Sequence, residues 1–391
     1  MISHLFQYIC IYKFKDMKYS ITLFLPFILI LFFSTSVYSQ KNDQAYFKKA
    51  NSKYFAGEYE EAIDDLNKAI KLNPNNAEYF YVRANAKNEL ENFKGAIADY
   101  TSAIELNPNY PEAYFHRGYI KDILEDFSGA ISDYNKAIEL KPDYPQAYYN
   151  RATSKDKSGD FSGAVEDYSA AILSKPDFFS SLQLGISKYK MKKYAESILD
   201  FNKSVEENAA DAQVYQYRGN AKSGLKDFEG AIKDFQKSIE LKPADPLTYL
   251  GKAIAEYGKN DFKSMFHDLN TAIVLKPDLD GPYYYRGIAR KEIEDYSLAL
   301  IDLNKAIELK SDHAEAYLQR AEVKNSLKDN VGELADLNKA IELKPDYAEA
   351  YFLRGISKTR SNDKQSACSD FNTAHSLGSL KAEDIIKQYC K

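Results

Sequence analysis

The side chains of this chain that could do chemistry are few in kind and regular in spacing. An aspartate recurs about every 34 residues, at Asp65, Asp99, Asp133, Asp167, Asp200, Asp234, Asp268, Asp302, Asp336 and Asp370. Sixteen residues before each stands a base, at Lys49, Arg83, Arg117, Arg151, Arg218, Lys252, Arg286, Arg320 and Arg354, with Leu184 the one departure. A guanidinium presents a planar fork that fits a carboxylate bidentately, so the series reads as a ladder of structural ion pairs that sets register between helices, within a repeat or across a junction. The competing reading is a solvated charged face. A second basic series, Lys53, Lys87, Lys121, Lys155, Lys188, Lys222, Arg290, Lys324 and Lys358, is interrupted by Glu256. It reads as lysine stems covering apolar surface with their heads in water, or else as a basic track for acidic peptide segments.

Catalytic chemistry is not indicated. His4, His116, His267, His313 and His375 lack ligand spacing, so no metal site is expected. The glycines form no phosphate-cradling loop, and no Ser, Thr or Cys stands in a nucleophile motif. The chain is therefore expected to be no enzyme and to need no cofactor. Of its three cysteines, Cys10 lies near the start, whereas Cys368 and Cys390 stand together near the end. In an oxidising compartment the latter two are candidates for a disulfide that pins the C-terminal end; the alternative is two buried free thiols.

The elements that must hold these residues follow from the repeat. Prolines at Pro74, Pro108, Pro142, Pro176, Pro243, Pro277 and Pro345 fall mostly 34 apart. With the proline slot as position 32, ten repeats span 43–76, 77–110, 111–144, 145–177, 178–211, 212–245, 246–279, 280–313, 314–347 and 348–379, and 380–391 reads as a closing helix. Each repeat carries two amphipathic helical patterns joined by a short turn rich in Asp and Gly, and the proline slot stops the second helix. Position 8 is Ala or Gly in all ten, from Ala50 to Gly355, and position 27 is Ala or Ser from Ala69 to Ala374. Position 24 is Leu, Tyr or Phe throughout, and position 4 is aromatic except at Ser181. Small and large residues at fixed places specify helices that stack closely, and one hairpin alone could not bury both faces. The fifth repeat is irregular, with a short connection before it and Ser181, Leu184, Ser197 and Ala209 at slots that are otherwise regular, so the array is expected to bend or open most readily near 176–185.

This pattern of aromatic at 4, small at 8, Ala at 20 and 27, and Pro at 32 resembles the tetratricopeptide repeat (TPR) over residues 43 to 381. The resemblance implies an all-α, right-handed α-solenoid superhelix of ten tandem helix-turn-helix units with a C-terminal capping helix. It also implies a concave face lined by the first helix of each unit, where a protein or peptide partner docks. The candidate groove residues at position 5 are then Phe47, Tyr81, Phe115, Tyr149, Tyr284 and Phe352, to which position 9 adds Tyr119, Ile186, Ile254, Ile288 and Ile356; such a wall suits an amphipathic helix or an extended peptide, and the alternative is that some of these residues pack against the neighbouring first helix. The chaperone-binding subclass carries Lys at position 5, with bases at 2 and 6 of a third unit. No three consecutive repeats here have that set, which disfavours chaperone C-terminal tails.

Composition narrows the partner class. Aromatics make up 14% of the 391 residues, with 32 Tyr and 22 Phe, which is enough bulk for a continuous core. The net charge of −5 becomes −7 without Lys13, Lys15, Lys18 and Asp16, and such a mildly acidic surface excludes a nucleic-acid stripe. Lys18, the apolar run from Ile21 to Phe33 and the small residues before Gln40 have the layout of a signal peptide over 1–39, with Met17 an alternative start. The expected destination is exported: periplasmic, secreted or cell-surface. Membrane attachment enters only if that segment stays uncleaved as an anchor. The second functional reading is a structural or assembly component of a cell-envelope complex, through packing of the solenoid on itself.

Overall fold

The computed structural model describes residues 42–175 and 178–390. The expected signal peptide at 1–39 lies outside the described residues, as do Pro176, Asp177, the Phe178 side chain and Lys391. The described residues form helices and turns alone. The first compact unit holds α1 (residues 42–55), α2 (Tyr59–Leu72), α3 (Ala77–Glu89), α4 (Phe93–Leu106), α5 (Pro111–Ile123), α6 (Phe127–Leu140), α7 (Pro145–Lys157) and α8 (Phe161–Ser174). The second holds α9 (Phe178–Lys190), α10 (Tyr194–Glu207), α11 (Ala212–Gly224), α12 (Phe228–Leu241), α13 (Pro246–Gly258), α14 (Phe262–Leu275), α15 (Asp280–Glu292), α16 (Tyr296–Leu309), α17 (Ala314–Ser326), α18 (Asn330–Leu343), α19 (Ala348–Arg360), α20 (Lys364–Ser376) and α21 (Leu380–Tyr389). Odd-numbered helices up to α19 are the first of a repeat, even-numbered ones the second, and α21 closes the array.

One residue reverses the chain inside every repeat. Position 15 adopts the left-handed backbone conformation in all ten, with φ of +56° to +63° at Glu91, Glu125, Lys192, Lys226, Asn260, Glu294, Lys328 and Asn362, and φ of +81° and +89° at Gly57 and Gly159. In the third repeat the amide of Glu125 bonds to the carbonyl of Asp122 and the amide of Asp126 to that of Lys121, which satisfies carbonyls left open at the end of α5. Asp126 then caps α6 through Oδ1, 3.0 Å from the Gly129 amide. Asn92, Asp160, Asp227, Asp261, Asp295, Asp329 and Asp363 cap their helices in the same way, whereas Glu58 and Lys193 make no such bond.

Tyr100, Tyr134, Tyr168, Phe201, Phe235, Leu269, Leu303, Leu337 and Phe371, all at position 24, are wholly or almost wholly buried. Each points at the small position 8 of its own repeat. A Cβ added at Gly355 would stand 2.6 Å from the Phe371 ring, and one at Gly185 2.6 Å from the Phe201 ring. That close approach explains why position 8 is glycine in these two repeats and leaves room for nothing larger than a small residue in the others. Each second helix also packs on the first helix of the next repeat within its compact unit, so every hairpin interior is closed by its neighbour. Several first helices also touch the first helix of the next repeat, more than successive second helices touch each other.

The C-terminal end is covered by α21. Ala382 is fully buried against Ala367, Phe371 and Ala374, and Ile385, Ile386 and Tyr389 pack beside them. Cys368 of α20 is disulfide-bonded to Cys390, closing a loop with a sequence separation of 22. A non-reduced digest is expected to release the Cys368 and Cys390 peptides as one cross-linked species, and two free thiols would remove the staple. Closing a loop of this size contributes about 3 kcal/mol. Glu125→Gly removes a Cβ from a left-handed position and is expected to raise stability by about 1 kcal/mol, read as a higher urea midpoint; a lower midpoint would refute the strain assigned to position 15.

Candidate functional site

The repeated charges converge on one buried rung per repeat. Arg83 donates through Nε to Asp99 Oδ2 at 2.8 Å and through Nη2 to Oδ1 at 2.6 Å, a bidentate pair between the two helices of one repeat. Arg117, Arg151, Arg218, Arg286, Arg320 and Arg354 bind Asp133, Asp167, Asp234, Asp302, Asp336 and Asp370 in the same geometry. The remaining nitrogen of each fork, Nη1, crosses to the previous repeat. It donates to Asn67, Thr101, Asn135, Asn202, Asn270, Asn304 and Asn338, respectively. The guanidinium also lies 5.3 to 5.6 Å from the ring centroid at position 4, on Phe80, Tyr114, Tyr148, Tyr215, Tyr283, Tyr317 and Tyr351. One side chain thus joins both helices of its own repeat and the second helix of the repeat before.

The second basic series belongs to the same rung, which corrects both expectations for it. Lys87, Lys121, Lys155, Lys222, Lys324 and Lys358 place Nζ 2.7 to 2.8 Å from Oδ2 of the rung aspartate, and Arg290 reaches Asp302 at 2.6 Å. These cations form no open track, and their heads are not left to water. In the first repeat Lys53 and Lys68 hold Asp65, and the hydrogen bond from Lys53 is the main reason its carboxyl lies below the usual range. Lys49 lies near the Tyr46 ring instead. In the fifth repeat Leu184 cannot donate, and burial raises the Asp200 carboxyl despite Lys188 2.8 Å away.

The position 5 residues do not form a free apolar wall. Phe47 packs on Tyr79 at 4.8 Å between centroids, Tyr81 on Tyr110 at 4.8 Å and Phe115 on Tyr144 at 5.0 Å, all ring pairs with the next repeat or its leading turn. Tyr149 meets Tyr168, Tyr284 meets His313 and Phe352 meets Phe371, at 5.5, 4.6 and 5.9 Å. All six are half-buried and serve the stacking first. His116 is drawn into this layer, stacked on Tyr100, and burial lowers its pKa.

What the first helices leave open lies at other positions. Tyr119 and Ile123, at 9 and 13 of the third repeat, are each 43% exposed and lie one turn apart on α5. Polar groups flank them. Asn85 Oδ1 accepts from the Tyr100 hydroxyl, and Asp122 accepts from Ser154 Oγ and Lys157 Nζ, both at 2.8 Å. In the second compact unit Lys291 bridges to Gln319 and Glu322 between successive first helices. Positions 12 and 13 carried no sequence signal, because they vary from repeat to repeat. Among the described residues no group of three or more His, Cys, Asp or Glu side chains could hold a metal ion, and no helix is long and apolar enough to cross a membrane.

Arg286→Met keeps the stem but deletes three hydrogen bonds, and leaves Asp302 with Arg290 alone. The eighth repeat is expected to lose about 2–3 kcal/mol, seen as a lowered urea midpoint and faster protease cleavage near α15. Unchanged stability and cleavage would mean that the rung charges are merely solvated.

Comparison with known proteins agrees with this geometry. The family described as TPR repeat matches residues 50–90, 84–121 and 123–154, and that described as tetratricopeptide repeat matches 145–178 and 212–245. No curated protein matches the sequence. Among solved structures, the APC/C hetero-tetramer Cut9-Hcn1 is similar with a TM-score of 0.54 at 14% identity, covering 91% of this chain and 93% of that one. A tetratricopeptide repeat protein from Parabacteroides merdae gives 0.52 at 18% identity over 63% of this chain and 99% of its own. Yeast Tom70 gives 0.49 at 17%, over 88% and 94%. At such identities the first two structures speak for the fold alone, whereas the matched stretches show what the chain is built of: it carries tetratricopeptide repeats.

Proposed function

We propose that this interaction scaffold binds a peptide segment of a partner protein along the face formed by its first helices. The observation that carries the reading is the exposed pair Tyr119 and Ile123, standing among polar side chains where the helices crowd together. An apolar ridge of this kind takes a side-chain anchor, and amide groups beside it satisfy the backbone of an extended segment. The six position 5 rings shape this face from beneath but are not themselves the anchors' partners.

The compartment reading rests on separate observations. We place the protein outside the cytoplasm, periplasmic, secreted or at the cell surface, on the signal-like layout from Lys18 to Ser39. The Cys368 to Cys390 bond supports this reading, since such bonds persist where the surroundings oxidise. An assembly role, with the solenoid packing on another surface, draws on Leu298 and Ile301, exposed three residues apart on α16.

Panning a random peptide library against the protein and its Tyr119→Ala, Ile123→Ala variant separates the two readings. Both positions are exposed, so the variant is expected to fold with stability within about 0.5 kcal/mol of the parent. Selected peptides are expected to bind the variant at least about tenfold more weakly, which is about 1.4 kcal/mol. Equal affinity would remove the inner face as the binding site.

A further inference from the structure

The seventh repeat has the rung with its charge inverted. Position 7 is Lys252 instead of arginine, and position 11, basic in every other repeat, is Glu256. Both carboxylates are buried, Glu256 at 3% exposure and Asp268 at 2%. Lys252 Nζ lies 2.6 Å from Asp268 Oδ2 and 3.1 Å from Glu256 Oε1, while Glu256 Oε2 is buried with no hydrogen-bond partner. Seven of the other rungs set two cations around one carboxylate through positions 7 and 11; here two carboxylates share one ammonium. An ionised oxygen buried without a partner is costly enough that the site must be neutralised by some other means.

The surroundings do not supply a second cation. Lys233 of α12 is engaged with Glu229 at 3.1 Å, on the rim of a cavity of about 510 Å³ that Glu256 also lines. Lys259 stands on that rim near its own countercharge, Asp261, the residue that caps α14. The neighbouring first helices bring Asn220 of α11 toward Gly251, and Glu292 of α15 toward Tyr257. Neither adds positive charge. What remains within hydrogen-bonding reach of Glu256 is the Asp268 carboxylate itself.

We propose that a proton takes the place of the missing cation, so that Glu256 is held as a neutral acid donating to Asp268, and that losing this proton as the pH rises loosens the seventh repeat. Burial first, and then the Asp268 charge, push the Glu256 carboxyl up to about 7 against the pull of Lys252. The folded chain therefore keeps a proton that the unfolded chain releases near the ordinary carboxyl value. The stabilisation is complete below that value and is lost as the pH climbs through the folded one. The consequence reaches the inner face, because Leu250 shares α13 with Glu256 and packs on Ala253, Met265 and Leu269 of the same core.

Amide hydrogen exchange of the full chain, expressed as protection factors, tests this. Protection of α13 and α14 is expected to fall between pH 5 and 7, relative to α17 and α18 of the ninth repeat, on the order of tenfold per unit at the steepest. Glu256→Gln keeps the shape without the titration and is expected to abolish the fall. Glu256→Lys restores two cations and is expected to hold α13 and α14 closed at pH 8. A parent with no fall, or a Glu256→Gln variant that falls as the parent does, overturns the proposal.

Discussion

The stacking depends on a single side-chain fork placed where three helices meet. In seven repeats an arginine spends two nitrogens on the aspartate of its partner helix and the third on the preceding repeat, while an aromatic ring three residues earlier covers its face. The rung is a poor source of net stability, because the desolvation of its charges consumes much of what their attraction returns. Its value lies in geometry. A planar fork cannot satisfy both partners if one hairpin slides or turns against the next, so a slip by one residue would leave a buried aspartate unpaired. The apolar layer beneath tolerates many registers, and the rung selects among them.

That division of labour explains how strain is distributed. Position 15 takes a conformation that favours glycine, yet eight of the ten repeats place a side chain there. A tighter or looser turn would move position 7 away from position 23, so the turn is held by the demands on both sides of it. The capping aspartate that follows makes the same turn favourable for the second helix, offsetting part of the backbone cost. The two helices of a repeat close on each other because position 8 is small, and ring pairs with the following repeat or its leading turn half-bury position 5 in the first three repeats.

Much of this was legible in the residues. The repeat, the helix pairing and the small and large slots follow from spacing, since each is enforced by contacts that every repeat makes alike. The aspartate and arginine series was visible for the same reason. The third partner was missed although the signal was present: Asn67, Asn135, Asn202, Asn270, Asn304 and Asn338 share position 25, but a polar residue on a helix surface looks like solvent-facing filler until a donor is seen to cross to it. The position 11 lysines were misread because a long stem reaches either water or a buried acid equally well, and spacing does not say which. The face left for a partner was the least legible part. Its residues at 12 and 13 obey no repeat, because nothing in the stacking constrains them.

The same reasoning turns the exceptions into the informative positions. Where most repeats build the same rung, a departure shows either what offsets it or what its loss costs. At Glu333, which replaces a small residue at position 20, the offset is visible: Arg360 and Ser357 of the next repeat reach in to pair it, adding a bridge between the ninth and tenth repeats. At Leu184 the fork is simply absent, and Asp200 is left with one lysine and a raised carboxyl. At Glu256 an acid stands where a base is the rule, and the deficit is one positive charge. These three outcomes, an added bridge, a weakened rung and a protonated one, differ in what they make sensitive. A bridge stiffens a junction, a weakened rung gives way more easily under load, and the protonated rung responds to the pH of the solvent around it.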